Sequence, residues 1–330
     1  MGPMPCFSLP PRFDVERLQA DLAILETLDW PPERPFIMET PFIARTQTYH
    51  DGKWKGLALR SQGGIPDRTD PGGPGLDAFA DTELLSRVPA MREVVDSLEC
   101  EKRSVRLLLL PPDADVHPHT DPYHGFKYGQ VRLHVPIRTH PDVRMRFGDQ
   151  AFHWPAGELW YADFGQPHAV ENRSPVTRVH LVIDALLSPA LVRLFPAEAL
   201  AEQERTGILL HEPALTVPPD QLRTYECDFF LPAALVQGIL ETDDGSVPGQ
   251  MTGQVRLEGS RLVLGIEGTP LFGLEPVGAH RFHLCGWTPE RAIEFHVDDS
   301  ERVRGLAITL RSGRMQSRVE LPVLPVGSVV

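Results

Sequence analysis

The chain has 330 residues, 42% of them hydrophobic and 23% charged, with a formal charge of −13. That length suffices for two domains, each with its own core, and the composition is that of an ordinary soluble globular protein. The acidity argues against a nucleic-acid partner, which needs a basic surface, and no run of about 18 apolar residues predicts a membrane span. The four cysteines, Cys6, Cys100, Cys227 and Cys285, include no C-x-x-C pair and fit neither a zinc site nor a disulfide framework. Free thiols suit a reducing compartment. The opening MGPMPCFSLPP has no basic region followed by an apolar core, so no secretory signal is visible and a cytoplasmic location is expected.

After this proline-rich lead, Leu18, Leu22, Ile24, Leu25 and Leu28 recur at helical spacing and predict a helix over 15–28, with Asp14 as its cap. From Ile43 to Ser61 the pattern is strand-like, with DGK as a hairpin turn. Residues 65–75, IPDRTDPGGPG, read as a mobile loop, either a lid over a pocket or an inert connection. A second helix is predicted over 82–102, with Leu84, Leu85, Val88, Met91, Val94, Val95 and Leu98 as its apolar stripe. Short strands then run from Ser104 to Asp184: QVRLHVPI, VRMRFG, QAFHW, ELWYADF, HAVEN and TRVHLVID. That cadence, with no helix between strands, predicts an antiparallel, mainly β domain. A cupin-like double-stranded β-helix, or jelly roll, flanked by the N-terminal helices would close such strands around one interior.

Past Ser188, PALVRLFPAEALAEQERTG reads as a helix leaving the barrel and HEPALTVPPD as a proline-marked linker. From Leu222 short strands return, GQVRLEG, SRLVLGIEG, LFGLEPVG, HRFHLCGW, AIEFHVDD and RVRGLAITL, in the rhythm of a small antiparallel β-barrel. Nothing in it forms a metal or nucleophile constellation. It would cover the first domain, mediate a homodimer or help hold a peptide. The expected division is a domain over 1–205 with its core at 104–187, a linker over 206–219 and a second β domain over 220–330.

The residues that carry chemistry lie in the first of these. His119 and Asp121 are two apart, so on an extended strand they share a face with Thr120 between them. A third ligand must come from a neighbouring strand, and His168, on a turn after ELWYADF, can supply it. Two histidines and a carboxylate are the ligand set of a mononuclear iron site with open positions. An H-x-D triplet alone also suits a surface turn in which Asp121 caps its own backbone. Arg132 and His134 share a face of another strand, and Arg178 lies on the strand after His168. Arginine grips a carboxylate through two parallel hydrogen bonds, so an arginine beside a metal suggests an acidic cosubstrate. Arg106, inside an apolar strand, needs a partner too, either a substrate carboxylate or an internal Asp or Glu.

The stretches HPHTD, VRLHVPI, GELWYADF, PHAVEN and TRVHLVID resemble the aspartyl/asparaginyl β-hydroxylase family of iron(II)- and 2-oxoglutarate-dependent dioxygenases, which includes bacterial free-proline hydroxylases. The resemblance covers Leu18 to Asp184. It implies that His119, Asp121 and His168 bind iron(II), that Arg178 clamps the distal carboxylate of 2-oxoglutarate, and that Arg132 and His134 contact its chelating end. The piece GKWKGLALRSQGG resembles a strand bordering the substrate pocket, which makes Trp54 and Arg60, with Arg106, candidate substrate contacts. Animal members have glycine at the position of Asp121, so the chain looks more like the bacterial branch. The implied reaction uses O2 to hydroxylate an unactivated carbon while 2-oxoglutarate is decarboxylated. Its expected target is the β-carbon of Asp or Asn, free or in a peptide, with free L-proline as the alternative. A cupin-like metal-binding protein without turnover and a zinc hydrolase are readings from other classes. A hydrolase gives Arg132 and Arg178 no role.

Overall fold

The computed structural model describes residues 4–34, 38–40, 43–45, 52–232, 235 and 250–324. The chain divides into two compact units, one of residues 1–36, 47–72 and 79–211, the other of 37–46, 73–78 and 212–330. Two short early segments thus group with the C-terminal residues.

The first unit is a jelly roll of two sheets. A seven-stranded sheet runs in the order Cys6–Arg12, Glu158–Ala162, Gln130–Arg138, Arg178–Leu186, Lys102–Leu110, Lys55–Gln62, Phe79–Asp81. A four-stranded sheet runs Gln150–Phe152, Val143–Phe147, His168–Asn172, Ala114–His119. From Lys102 the chain passes repeatedly between the two sheets, which is the double-stranded β-helix arrangement.

The three central strands of the larger sheet are buried on both faces, and their alternation sorts two environments. On Arg178–Leu186, Val179, Leu181, Ile183 and Ala185 join a core with Leu18, Leu22 and Leu25 of the first helix and Met91, Val94 and Val95 of the second. The intervening positions, Arg178, His180, Val182 and Asp184, point to the other face, toward the space between the sheets. Gln130–Arg138 repeats the pattern: Val131, Leu133, Val135 and Ile137 join that core, and Arg132 and His134 take the opposite face. A second apolar cluster, including Leu110, Val116, Met145, Phe147, Trp154, Phe164 and Val170, fills the rest of the inter-sheet space.

The helices are shorter than predicted. Asp14 caps the first by accepting from the amides of Glu16 and Arg17, but the helix ends at Leu25 rather than Leu28. The stretch expected as one helix over 82–102 breaks into a 3-10 turn, Glu83–Arg87, and a helix, Pro89–Ser97. Proline disfavours helical geometry in the residue before it, and Val88 has left it, at φ −128 and ψ 78. The helix predicted past Ser188 is likewise split, into Pro189–Val192 and Ala197–Thr206, with Pro196 before the second. The proline-rich N-terminal lead is the edge strand Cys6–Arg12; its register against Glu158–Ala162 shifts between Leu9 and Arg12, around Pro10 and Pro11. Proline is tolerated on such an edge, where an N–H is not required. The DGK turn begins outside the described residues.

The second unit is an eight-stranded antiparallel sheet whose strands follow sequence order: Cys227–Pro232, Gln250–Glu258, Arg261–Ile266, Thr269–Gly278, Arg281–Leu284, Arg291–Val297, Val303–Ser312 and Met315–Pro322. A bridge between Phe229 and Val323 and a 2.7 Å bond from the Leu324 amide to the Asp228 carbonyl join first to last, closing a barrel. Gly253 lies opposite Phe229, where a Cβ would sit 2.3 Å from the ring, so only glycine lets that ring fill the lumen. The last strand escaped the sequence reading because half of its residues are polar and most are exposed. No helix among the described residues is long and apolar enough to cross a membrane.

Leu181→Ala should lower the free energy of unfolding by about 2–5 kcal/mol in chemical denaturation, because Leu181 is buried between sheet and helices.

Candidate metal centre

His119 ends one strand of the smaller sheet and His168 begins the neighbouring one, and the two are direct cross-strand partners. Their rings lie 4.2 Å apart, centroid to centroid. The turn expected to carry His168 is therefore a strand start. Asp121 lies beyond the strand end, not on it, anchored by a 2.9 Å bond from its amide to the Phe164 carbonyl. One potential ligand atom from each of His119, Asp121 and His168 falls within 4.8 Å of the others.

Hydrogen bonds already choose the ligating atoms. His119 Nδ1 lies 2.8 Å from the His117 carbonyl and His168 Nδ1 lies 3.0 Å from that of Gln166. Each Nδ1–H donates to a carbonyl, so in each ring Nε2 carries the acceptor lone pair. Asp121 presents Oδ1 to His119 Nε2 at 3.7 Å, while its Oδ2 accepts from Arg132 Nη1. Burial pulls the His168 imidazole down to about 4, against the opposing influence of Asp121, so it is neutral near pH 7. Burial alone would raise the Asp121 carboxyl, yet Arg132 and the nearby histidines hold it below the ordinary range. Two imidazoles and a carboxylate, with 10% and 12% of the His119 and Asp121 side chains exposed, are a donor set suited to a divalent metal with open positions.

Arg132 does not wait for a ligand, in contrast to the role the resemblance implied. Besides Asp121, it donates to Asp184 through Nε at 2.7 Å and Nη2 at 3.0 Å. Asp184 was not singled out in the sequence, although a signal was there. It shares parity with Arg178 and His180 on a strand buried on both faces, and a lone carboxylate there requires a cation. Arg106 is equally committed: it donates to the Thr69 carbonyl at 3.0 Å and pairs with Asp184 at 3.5 Å and Glu33 at 3.6 Å. Its expected substrate contact is replaced by this internal network. Arg60, the other candidate arginine, is used by Asp81 and by the carbonyls of Lys102 and Phe79. Trp54 packs against the inter-sheet apolar cluster. The loop over 65–75, expected to be mobile, is pinned in the first unit by buried Thr69, which bonds to Pro32 and Arg34 and receives Arg106.

Arg178 is different. It is 2% exposed and has no ion pair among the described residues. Burial alone pulls its guanidinium down to about 9. Its Nη2 donates to His180 Nδ1 at 2.8 Å, and His134 Nδ1 lies 3.3 Å from the same atom. With Arg178 donating, His180 Nδ1 is an acceptor and its proton sits on Nε2. Arg178 Nε, His180 Nε2 and the Thr139 hydroxyl are all buried without a hydrogen-bond partner. Arg178, His180 and Thr139 line one small cavity with Trp154, Met145 and Val170. Val170 is two residues from His168, on the same face of its strand, so the cavity lies on the ligand side. Rings join the two regions: His180 to His134 at 5.6 Å, His134 to Phe164 at 5.1 Å and Phe164 to His168 at 4.8 Å.

A family model described as Aspartyl/Asparaginyl beta-hydroxylase matches residues 36–187, a span containing every residue of this site except Glu33 and its neighbours. Over residues 36–187 the chain is similar to the aspartyl/asparaginyl β-hydroxylase family. A curated relative, the L-proline cis-4-hydroxylase of Rhizobium meliloti (strain 1021), is 28% identical over 175 residues. That match covers 52% of this chain and 58% of the relative, so the chain spans little more than half the relative's length. Among solved structures, a 2OG-Fe(II) oxygenase family oxidoreductase from Burkholderia pseudomallei is 12% identical, covering 55% of this chain and 84% of that one at a TM-score of 0.37. A Pseudomonas putida prolyl-4-hydroxylase is 14% identical, covering 56% and 94% at 0.34.

Burial holds His134 and His180 of the first unit well below the usual imidazole value of 6.5. Above pH 6.5 both states carry these residues neutral and they contribute nothing to pH dependence. As pH falls below 6.5 only the unfolded chain takes up their protons, so stability must fall. Unfolding measured from pH 7 to 5 should show that decline, and His180→Gln should make it shallower.

Proposed function

We propose that the first unit is an iron(II)- and 2-oxoglutarate-dependent dioxygenase that hydroxylates an unactivated carbon of an amino acid, with 1–205 as its catalytic domain and 220–330 as a separate β domain. The observation that carries the reading is Arg178, a buried cation with no ion pair among the described residues, in a cavity lined by Val170, on the same side of its strand as His168. A buried charge left unpaired is costly, and a ligand carboxylate would supply both the counter-charge and the missing acceptor. Neither a zinc hydrolase nor a binding protein without turnover explains that arrangement.

In this reading His119, Asp121 and His168 hold the iron through Nε2, Oδ1 and Nε2. Bound there with 2-oxoglutarate and O2, the metal supplies oxidative decarboxylation to succinate coupled to C–H hydroxylation. Arg178 takes the distal carboxylate of 2-oxoglutarate, with the Thr139 hydroxyl and the His180 Nε2–H as further donors. His134 packs against Phe164 and Trp154 and fixes His180 through their shared contact. The apolar walls, Met145, Trp154 and Val170, keep water from the reacting centre. The substrate is a small amino acid. The family's name points to the β-carbon of Asp or Asn and the curated relative's name to L-proline.

Purified protein with iron(II), ascorbate and 2-oxoglutarate should release succinate when offered one of proline, Asp, Asn or an Asp-containing peptide, and the responding compound identifies the branch. No turnover on any of them, with metal bound, would remove the amino-acid substrate class. Arg178→Ala should weaken 2-oxoglutarate binding by about 2–5 kcal/mol in calorimetric titration while leaving metal affinity unchanged. Unaltered affinity for 2-oxoglutarate would place its carboxylate elsewhere.

A further inference from the structure

Asp184 is the most heavily used carboxylate of the interior, and nothing in the proposed reaction calls on it. It is 1% exposed and accepts from Ser104 Oγ at 2.7 Å and from Arg132 Nε and Nη2, with Arg106 Nη2 at 3.5 Å and His124 Nε2 at 3.4 Å. Its α-carbon faces that of Arg132 across the sheet, so the pair belongs to the rigid part of the barrel and not to a loop.

We infer that Asp184 is a positioning residue which, acting through Arg132, decides which oxygen of Asp121 is presented to the metal. This rests on the ligand assignment proposed above. The Asp121 side chain needs such a device. It lies past the end of its strand, and the terminal torsion of a carboxylate is broad, so the backbone alone does not choose between its oxygens. Arg132 makes the choice by donating Nη1 to Oδ2, leaving Oδ1 toward His119 Nε2. Arg132 can do this only because Asp184 takes its other edge, Nε and Nη2, in a two-point grip that fixes the plane of the guanidinium. Asp184 therefore enforces one-oxygen coordination by Asp121 and keeps a position open on the metal. Lysine in place of Arg132 would keep the charge but could not reproduce the planar two-point grip on Asp184.

The test is Co(II) loading of the full chain without cosubstrate, read by affinity and by the visible absorption bands that report ligand geometry. Asp184→Asn should lower Co(II) affinity about 10- to 100-fold, as loss of an outer partner of a ligand does, and alter the bands. Arg132→Lys should produce the same spectral change. The double variant should go no further than the stronger single one, because both act through one contact. A folded Asp184→Asn protein with wild-type affinity and bands would overturn the inference, and so would strictly additive effects. Should Asp184→Asn fail to fold, unchanged bands in Arg132→Lys would overturn it alone. Wild-type protein that binds no Co(II) would instead remove the ligand assignment, and the inference with it.

Discussion

The two-point pairing of Arg132 with Asp184 is the constraint on which the interior of the first unit depends. Taking charges out of water costs several kcal/mol per ion, and good geometry must offset that penalty. Here each cost is shared. Arg132 lies between Asp184 and Asp121, Arg106 lies between Asp184 and Glu33, and Ser104 and His124 complete the shell. Burial pushes the Glu33 carboxyl up to about 8 despite the two arginines, so at neutral pH it is largely protonated. Near-neutrality of this cluster sets off Arg178, whose charge nothing inside the described protein balances. The charge-paired network reaches Asp184 and the arginine without an ion pair is Arg178, on the same strand three repeats of the pleat apart. The contrast separates the part of the interior that is complete from the part shaped for a ligand.

How much of this was readable beforehand follows from strand periodicity. Alternation assigned Arg132 and His134 to one face of their strand because it needs no knowledge of strand order. The H-T-D motif was legible for a similar reason, since it is local. Pairing is not local. That Asp184 sits opposite Arg132 and His168 opposite His119 depends on the register between strands distant in sequence, which short motifs do not contain. Arg106 shows the consequence. As a lone cation in an apolar strand it looked available to a substrate, whereas its partners come from Glu33, Thr69 and Asp184, three separate parts of the chain.

Proline explains most differences in the elements. Pro89 and Pro196 each divided a stretch whose apolar spacing read as one helix, since periodicity continues across a break that the backbone cannot. Pro10 and Pro11 had the opposite effect. They made the first strand read as a proline-rich lead, while an edge position requires no hydrogen bond from them.

The closure of the C-terminal barrel bears on how that unit is made. Seven of its strand pairings join neighbours in sequence, so each can form as a hairpin while the chain lengthens. The seam between Asp228 and Leu324 is the exception, since it joins the two ends of the unit and can be sewn only after nearly all of it has been synthesised. Until then the Cys227–Pro232 strand, rich in aromatic and aliphatic side chains, carries an unpaired edge capable of accepting a strand from another chain. The largely exposed Met315–Pro322 strand is the one that covers this edge. Its charged, exposed side chains make it a poor template for aggregation during the interval in which it, too, has one free side.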